Sequence, residues 1–229
     1  MSGSEPGPST EIRHPGRSRS RTSSRLQGLI VAILIAAVVC QLVQQTDPMF
    51  PFLYFTIDSA VLEVVVMTCR LVGRAPDSLW FARARGAAAV GVILSALMFA
   101  AVIAPNSPSG GWFNAHDDLW VRTATVLFHG VAPFPVAAEF LVGSYPTRPP
   151  LKEATTFTWW PLGYLVTIAG LSSVGLATMP YVFLQPSHNG AGPTSAAVMG
   201  LWVIVIMLGS ALLAGHRLVH RKTPAASTQ

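Results

Sequence analysis

Apolar residues fall into six long runs, separated by short stretches rich in Pro, Gly and charge. The runs cover residues 26–43, 49–72, 86–104, 119–142, 157–178 and 196–215. A helix crosses a bilayer with about 20 mostly apolar residues, and each run meets that length approximately. The pattern predicts an all-α fold, a polytopic membrane helix bundle with six transmembrane helices. Residues 1–25 lack apolar periodicity and are crowded with Ser, Gly, Pro and Arg. Such a stretch buries too little apolar area to offset its ordering entropy. It is expected to be a disordered basic tail before a membrane domain at 26–217, with a short tail at 218–229. The first run ends Cys40-Gln41-Leu42-Val43-Gln44-Gln45. No small-x-small cleavage pattern follows it, so an uncleaved first span is expected rather than a signal peptide.

Charge sharpens this division. Of the 15 Lys and Arg residues, 14 fall in the tails or in alternate connections, and only Arg122 falls on the other side. The opposite connections carry Asp47, Asp117 and Asp118. By the positive-inside rule both termini are expected in the cytoplasm. Arg outnumbers Lys 13 to 2, which points to a bacterial plasma membrane on compositional grounds. Composition agrees with a lipid environment: 51% of residues are hydrophobic and 11% charged, against about 25% charged in soluble domains. The net charge of +5 on so apolar a chain suits anionic lipid rather than nucleic acid. Two cysteines, Cys40 and Cys69, both lie inside apolar runs and make no disulfide framework.

No glycine-rich nucleotide loop, HExxH, CxxC or GxSxG pattern occurs, so neither cofactor nor metal is expected. Chemistry must come from polar side chains at membrane depth, which are costly there and usually functional or paired. Span two offers Tyr54, Thr56, Asp58 and Glu63; span four offers His129 and Glu139; span five offers Tyr164. Counting along ideal helices puts Thr56 roughly 10 Å and His129 roughly 15 Å below one boundary. Glu63 shares a face with Thr56, and Asp58 points away from it. Pro133 deprives the His129 carbonyl of its helical partner, so the imidazole lies beside a broken turn. Simpler roles are also expected. Thr56 could bond the Phe52 carbonyl, and Glu139 could pair with Arg148 or Lys152. Glu63 could be a buried carboxyl held by hydrogen bonds. His116, Asp117, Asp118 and His188 are metal-ligand types on unlinked loops, a weak signal.

Three short stretches resemble one family. Phe52-Leu53-Tyr54-Phe55-Thr56-Ile57-Asp58-Ser59 is similar to the YFTIQSN stretch of bacterial Pr6Pr membrane proteins, which are related to the animal androgen-induced, FAR-17a-like proteins. Leu127-Phe128-His129-Gly130-Val131-Ala132-Pro133 resembles that family's His-x-x-x-Pro element. Met179-Pro180-Tyr181-Val182-Phe183-Leu184-Gln185-Pro186 is similar to its YPYPFLDP stretch. The resemblance implies a six-span intramembrane hydrolase of fatty acid esters. It implies Thr56 as nucleophile and His129 as its histidine partner, with lipid as solvent and a lipid ester as substrate. The chain departs from the pattern at Ala132, where animal members have a second His, and at Asp58 and Ala60. Tyr54 or Tyr164 could then steady the oxyanion, and Asp58 and Glu63 are further supporting candidates. The alternative is a non-catalytic membrane protein or a small-solute or proton transporter with a path along Glu63 and Glu139.

Overall fold

The computed structural model describes residues 21–47, 49–113, 117–145 and 149–221. Among them there is no strand. The helices are α1 (Arg21–Val43), α2 (Phe55–Leu71), α3 (Leu79–Met98), α4 (Leu119–Thr125), α5 (Pro133–Val142), α6 (Trp159–Ser173), the short α7 (Pro186–Asn189) and α8 (Ala191–Val219). They form six rods. A π-helical segment, Val126–Val131, joins α4 to α5, another, Phe99–Ile103, extends α3, and a 3₁₀ segment, Leu151–Thr158, leads into α6. The chain is an all-α helical bundle, as its apolar runs predict.

Four rods are long and apolar enough to cross a membrane: Ser23–Val43, Leu79–Ile103, Leu119–Val142 and Ala191–Val219. The other two are shorter, 17 residues in α2 and 15 in α6. At 1.5 Å per residue they span about 26 and about 23 Å, and 3₁₀ turns at Pro51–Leu53 and Leu151–Thr158 lengthen them. The sixfold pattern is therefore realised as six rods of unequal length. α6 stops short of Thr178 because Gly175 adopts φ 74°. The Gly175 N–H then bonds the Ser172 carbonyl at 3.2 Å, and the Leu176 N–H bonds Leu171 at 2.9 Å. This pair of bonds closes a helix at a left-handed glycine. Gly73, with φ 73°, ends α2 in the same way.

Two boundaries differ from the hydrophobicity pattern in ways that matter. α1 starts at Arg21, more than a turn before Leu26, and Ser23 Oγ accepts a bond from Gln27 Nε2 at 3.2 Å. α3 starts at Leu79, where Ser78 caps it by accepting the Phe81 N–H at 3.2 Å. Arg83 and Arg85, which charge counting places in a connection, therefore ride on α3. Most of the expected tails, residues 1–20 and 222–229, lies outside the described residues, as do His116 and Arg148.

α3 is the central rod and packs against α2, α5, α6 and α8. Its run Gly86-Ala87-Ala88-Ala89-Val90-Gly91 is buried. Small side chains let neighbours approach closely, the usual route to tight packing in a membrane. A Cβ on Gly86 would lie 2.2 Å from the Phe157 ring, and one on Gly91 would lie 2.7 Å from Ser59 Oγ. That hydroxyl accepts the Trp160 indole N–H at 3.0 Å, tying α2 to α6.

Candidate functional site

At the end of the bundle holding residues 44–47, 49–54, 104–113 and 174–190, the rods part around a cavity of about 750 Å³. Thr56 and His129 both line it, with Tyr54, Phe99, Asn106 and Tyr181. The π-helical segments on α3 and before α5 both contribute to its wall. A π turn widens a helix and re-aims its side chains, and such turns recur at functional sites. The second follows from sequence. Pro133 has no N–H to give, and the preceding turn opens so that Ala132 N–H bonds Leu127 at 2.9 Å, five residues back.

His129 sits on that opened turn and stacks on Phe99, with ring centroids 4.2 Å apart and planes 3° from parallel. Phe99 is fixed in turn by the edge of Trp112 at 5.3 Å. The His129 Nδ1 is buried with no hydrogen-bond partner among the described residues. Its orientation therefore comes from ring packing rather than from a carboxylate.

Thr56 sits in the first turn of α2. No side chain of the N-cap residue, Tyr54, closes this helix start. The Tyr181 hydroxyl does so from the distant 174–190 connection, accepting the Phe55 N–H at 3.1 Å. Thr56 and Tyr164 both face this hydroxyl. Burial pushes the Tyr181 phenol up to about 12, so it keeps its proton at neutral pH. The Ile57 and Asp58 N–H groups both bond the Tyr54 carbonyl, and no acceptor among the described residues takes the Thr56 N–H. A first-turn N–H has no partner within its own helix. The hydroxyl and amide of Thr56 thus stand together at a cavity wall. The simpler role, a bond from Thr56 Oγ1 to the Phe52 carbonyl, is not made among the described residues.

Thr56 also lines a second cavity. This one holds about 340 Å³ between α2, α3, α6 and α8, and its walls include Leu94, Met98, Leu165, Leu201 and Val205. Leu162, Met199 and Trp202 form its rim, and each is about half exposed on the side of the bundle. Thr56, with Ile103, Tyr181 and Phe183, thus touches both a cavity that has polar groups in its walls and an apolar, sideways-facing pocket.

The two tyrosines expected near an oxyanion are engaged elsewhere. Tyr164 OH donates to the Leu53 carbonyl at 2.7 Å, and Tyr54 OH donates to Asp47 Oδ2 at 2.7 Å. Tyr181 is the tyrosine that reaches Thr56. It is not among the residues picked out by depth, because a connection has no periodicity to count. Its signal is its place in the Met179–Pro186 stretch that carries the family resemblance. Asp58 is half-buried, as expected away from the Thr56 cavities, and lines neither of them. Asp118 caps α4 by accepting the Val121 N–H at 2.8 Å. No group of three metal-ligand residues exists among the described residues.

Glu63 and Glu139 lie in a separate cluster, 0% and 1% exposed. Glu139 does not use Lys152 as its partner; Arg148, the other expected one, is outside the described residues. Arg85 Nε reaches Glu139 Oε2 at 3.0 Å, and Arg70 Nε lies 3.3 Å from Oε1. Gln27 Nε2 donates to Oε1 at 3.2 Å. Arg85 also donates to the carbonyls of Ser144 at 2.8 Å, Glu139 at 3.2 Å and Phe140 at 2.8 Å. These carbonyls lie in the last turn of α5 and just past it, where a cation is favoured; that of Glu139 also accepts the Gly143 N–H at 2.8 Å. Neither Glu63 oxygen has a hydrogen-bond partner among the described residues, and Glu139, Arg85 and Arg70 are its charged neighbours. The expected hydrogen-bonded Glu63 is therefore replaced by a carboxyl set against an ionic knot.

Fold and site together define a helical bundle of the multi-pass membrane type, with a two-sided cavity at one end. No family model, curated protein or solved structure matches the chain.

Proposed function

We propose that the protein is an intramembrane hydrolase of lipid esters, of the Pr6Pr and FAR-17a-like type, with six spans and both termini cytoplasmic in a bacterial plasma membrane. One observation carries this reading: Thr56 lines both the apolar pocket, open sideways, and the polar cavity that holds His129. A lipid ester needs such a place, where an acyl chain stays in apolar surroundings while its carbonyl meets water and polar groups.

In this reading Thr56 Oγ attacks the ester carbonyl and His129 accepts the hydroxyl proton. The imidazole then hands that proton to the departing alcohol. A water molecule, activated the same way, splits the acyl-Thr56 ester and restores the hydroxyl. The Thr56 N–H and the Tyr181 hydroxyl are the donors suited to the oxyanion. Tyr54 and Tyr164 hold the start of α2 in place rather than touching the reacting atoms. Asp58 and Glu63 have no step in this scheme. A transport path along Glu63 and Glu139 has less support, because both are sealed and Glu139 is bound by two arginines.

The test is labelling of purified full-length protein by a fluorophosphonate probe. Thr56→Ala and His129→Ala should each abolish labelling while leaving the helical fold intact, and Thr56→Ser should keep part of it. Folded wild-type protein that never labels, in detergent or in vesicles, would count against the reading.

A further inference from the structure

The two cavities that meet at Thr56 differ in chemistry, and the difference says which half of a substrate each can hold. The smaller pocket is closed at its deep end by Leu94 and Val205, 3% and 1% exposed. It runs about 13 Å along α3 from Ile103 to Leu94 and is walled mainly by aliphatic side chains. The larger cavity is lined by the amides of Gln41, Asn106 and Asn189 and the hydroxyls of Tyr54 and Thr125. Asn106 and Asn189 donate to backbone carbonyls and Tyr54 to Asp47, so these three present their oxygens as acceptors. Among the described residues its one formally charged lining residue is Asp47, and no Lys or Arg lines it. The Asp47 carboxylate is already occupied by Tyr54 OH at 2.7 Å and the Met49 N–H at 2.9 Å. Arg122, the basic residue at this end of the described chain, lies over the Phe113 ring instead.

We propose that Thr56 divides the substrate between these spaces: the fatty acyl chain lies in the pocket between α6 and α8, and the esterified alcohol, an uncharged polyol, lies in the cavity beside His129. This rests on the hydrolase reading above and adds the substrate's polarity to it. The direction follows from the chemistry. His129 must deliver its proton to the leaving oxygen, so the alcohol belongs on the His129 side. The acyl group stays bonded to Thr56 until water releases it as the fatty acid, and its chain stays in the pocket throughout. An alcohol carrying a carboxylate or phosphate would enter a cavity with a carboxylate and no cation, at an electrostatic cost. A glycerol-type alcohol instead meets amides and hydroxyls that match its hydroxyl groups.

Two substrate series test this on the full-length protein in detergent. The first compares decanoyl glycerol with decanoyl glycerate, which differ only in one terminal carboxylate. The glycerol ester should be favoured at least about tenfold in kcat/KM; equal rates, or preference for the glycerate, would overturn the assignment of the polar cavity. The second compares butanoyl with decanoyl glycerol in Val205→Phe, at the deep end, and in Val198→Trp, on the partly buried wall. Either folded variant should lose decanoyl turnover and keep butanoyl turnover. Equal loss of both in each folded variant would overturn the acyl-pocket assignment. Absence of all turnover, with no probe labelling of Thr56, removes the hydrolase and this assignment together. Turnover with the wrong selectivity removes the assignment alone.

Discussion

Replacing Arg85 by Met tests how the bundle is held at the end away from the cavity. Met keeps the length and much of the apolar stem but removes every donor. Arg85 is 1% exposed and makes four hydrogen bonds, one to the Glu139 carboxylate and three to backbone carbonyls of the α5 end. Removing one partner of a buried ion pair costs about 3–5 kcal/mol, because the other charge is left uncompensated. Here Arg70 and Gln27 still reach Glu139, which trims that cost. Of the three carbonyls, Glu139 keeps the Gly143 N–H at 2.8 Å and Ser144 is exposed to water. The Phe140 carbonyl is therefore the buried orphan, adding about 1–3 kcal/mol unless water replaces the lost bond. The balance is a loss of about 3–5 kcal/mol, visible as an early transition in SDS-titration unfolding from mixed micelles. Arg85→Lys should recover little of it, since one ammonium cannot reach a carboxylate and three carbonyls from a single point. A double-mutant cycle with Glu139→Gln isolates the pair term. A loss below about 1 kcal/mol for Arg85→Met would show that the cluster is solvated and that the burial argument is wrong.

Two further outcomes follow from the packing. Gly86→Ala should destabilise the bundle by about 1–3 kcal/mol, because its methyl group would overlap the Phe157 ring, and Phe157→Leu in the same chain should restore part of the loss in the unfolding assay. Tyr181→Phe should cost about 0.5–2 kcal/mol through the lost cap on α2 and should also remove a phenol that ionises only near pH 12 from the ultraviolet titration. The sign is fixed: the raised value means the folded state holds this proton more tightly. The hydroxyl's contribution is present in full below about pH 10, the ordinary tyrosine value, and falls as the pH rises toward 12. A variant with unchanged titration and unchanged stability would refute the placement of the Tyr181 hydroxyl.

The bundle was legible in the sequence because apolar run length is a direct consequence of membrane thickness. The Pro133 break was legible for an equally local reason, the missing N–H, although the form it takes, a widened turn that stacks His129 on Phe99, depends on the neighbouring rod. Depth counting along two rods brought Thr56 and His129 to one level, and they do line one cavity. What escaped was set by tertiary contact. Arg85 reads as a loop charge because hydropathy ends at Gly86, yet the Ser78 cap starts the helix seven residues earlier. Tyr181 lies in a connection, where no period marks the side that faces inward. The partners of Glu139 come from α1, α2 and α3, and no spacing within one helix could have named them.

The most direct measurement is peptide mass spectrometry of the protein quenched during turnover of a fatty acyl ester or after fluorophosphonate labelling. Wild-type protein should carry an acyl or phosphonyl adduct on Thr56, and folded His129→Ala should carry none. An adduct on any other residue, or none on folded wild-type protein, would contradict it.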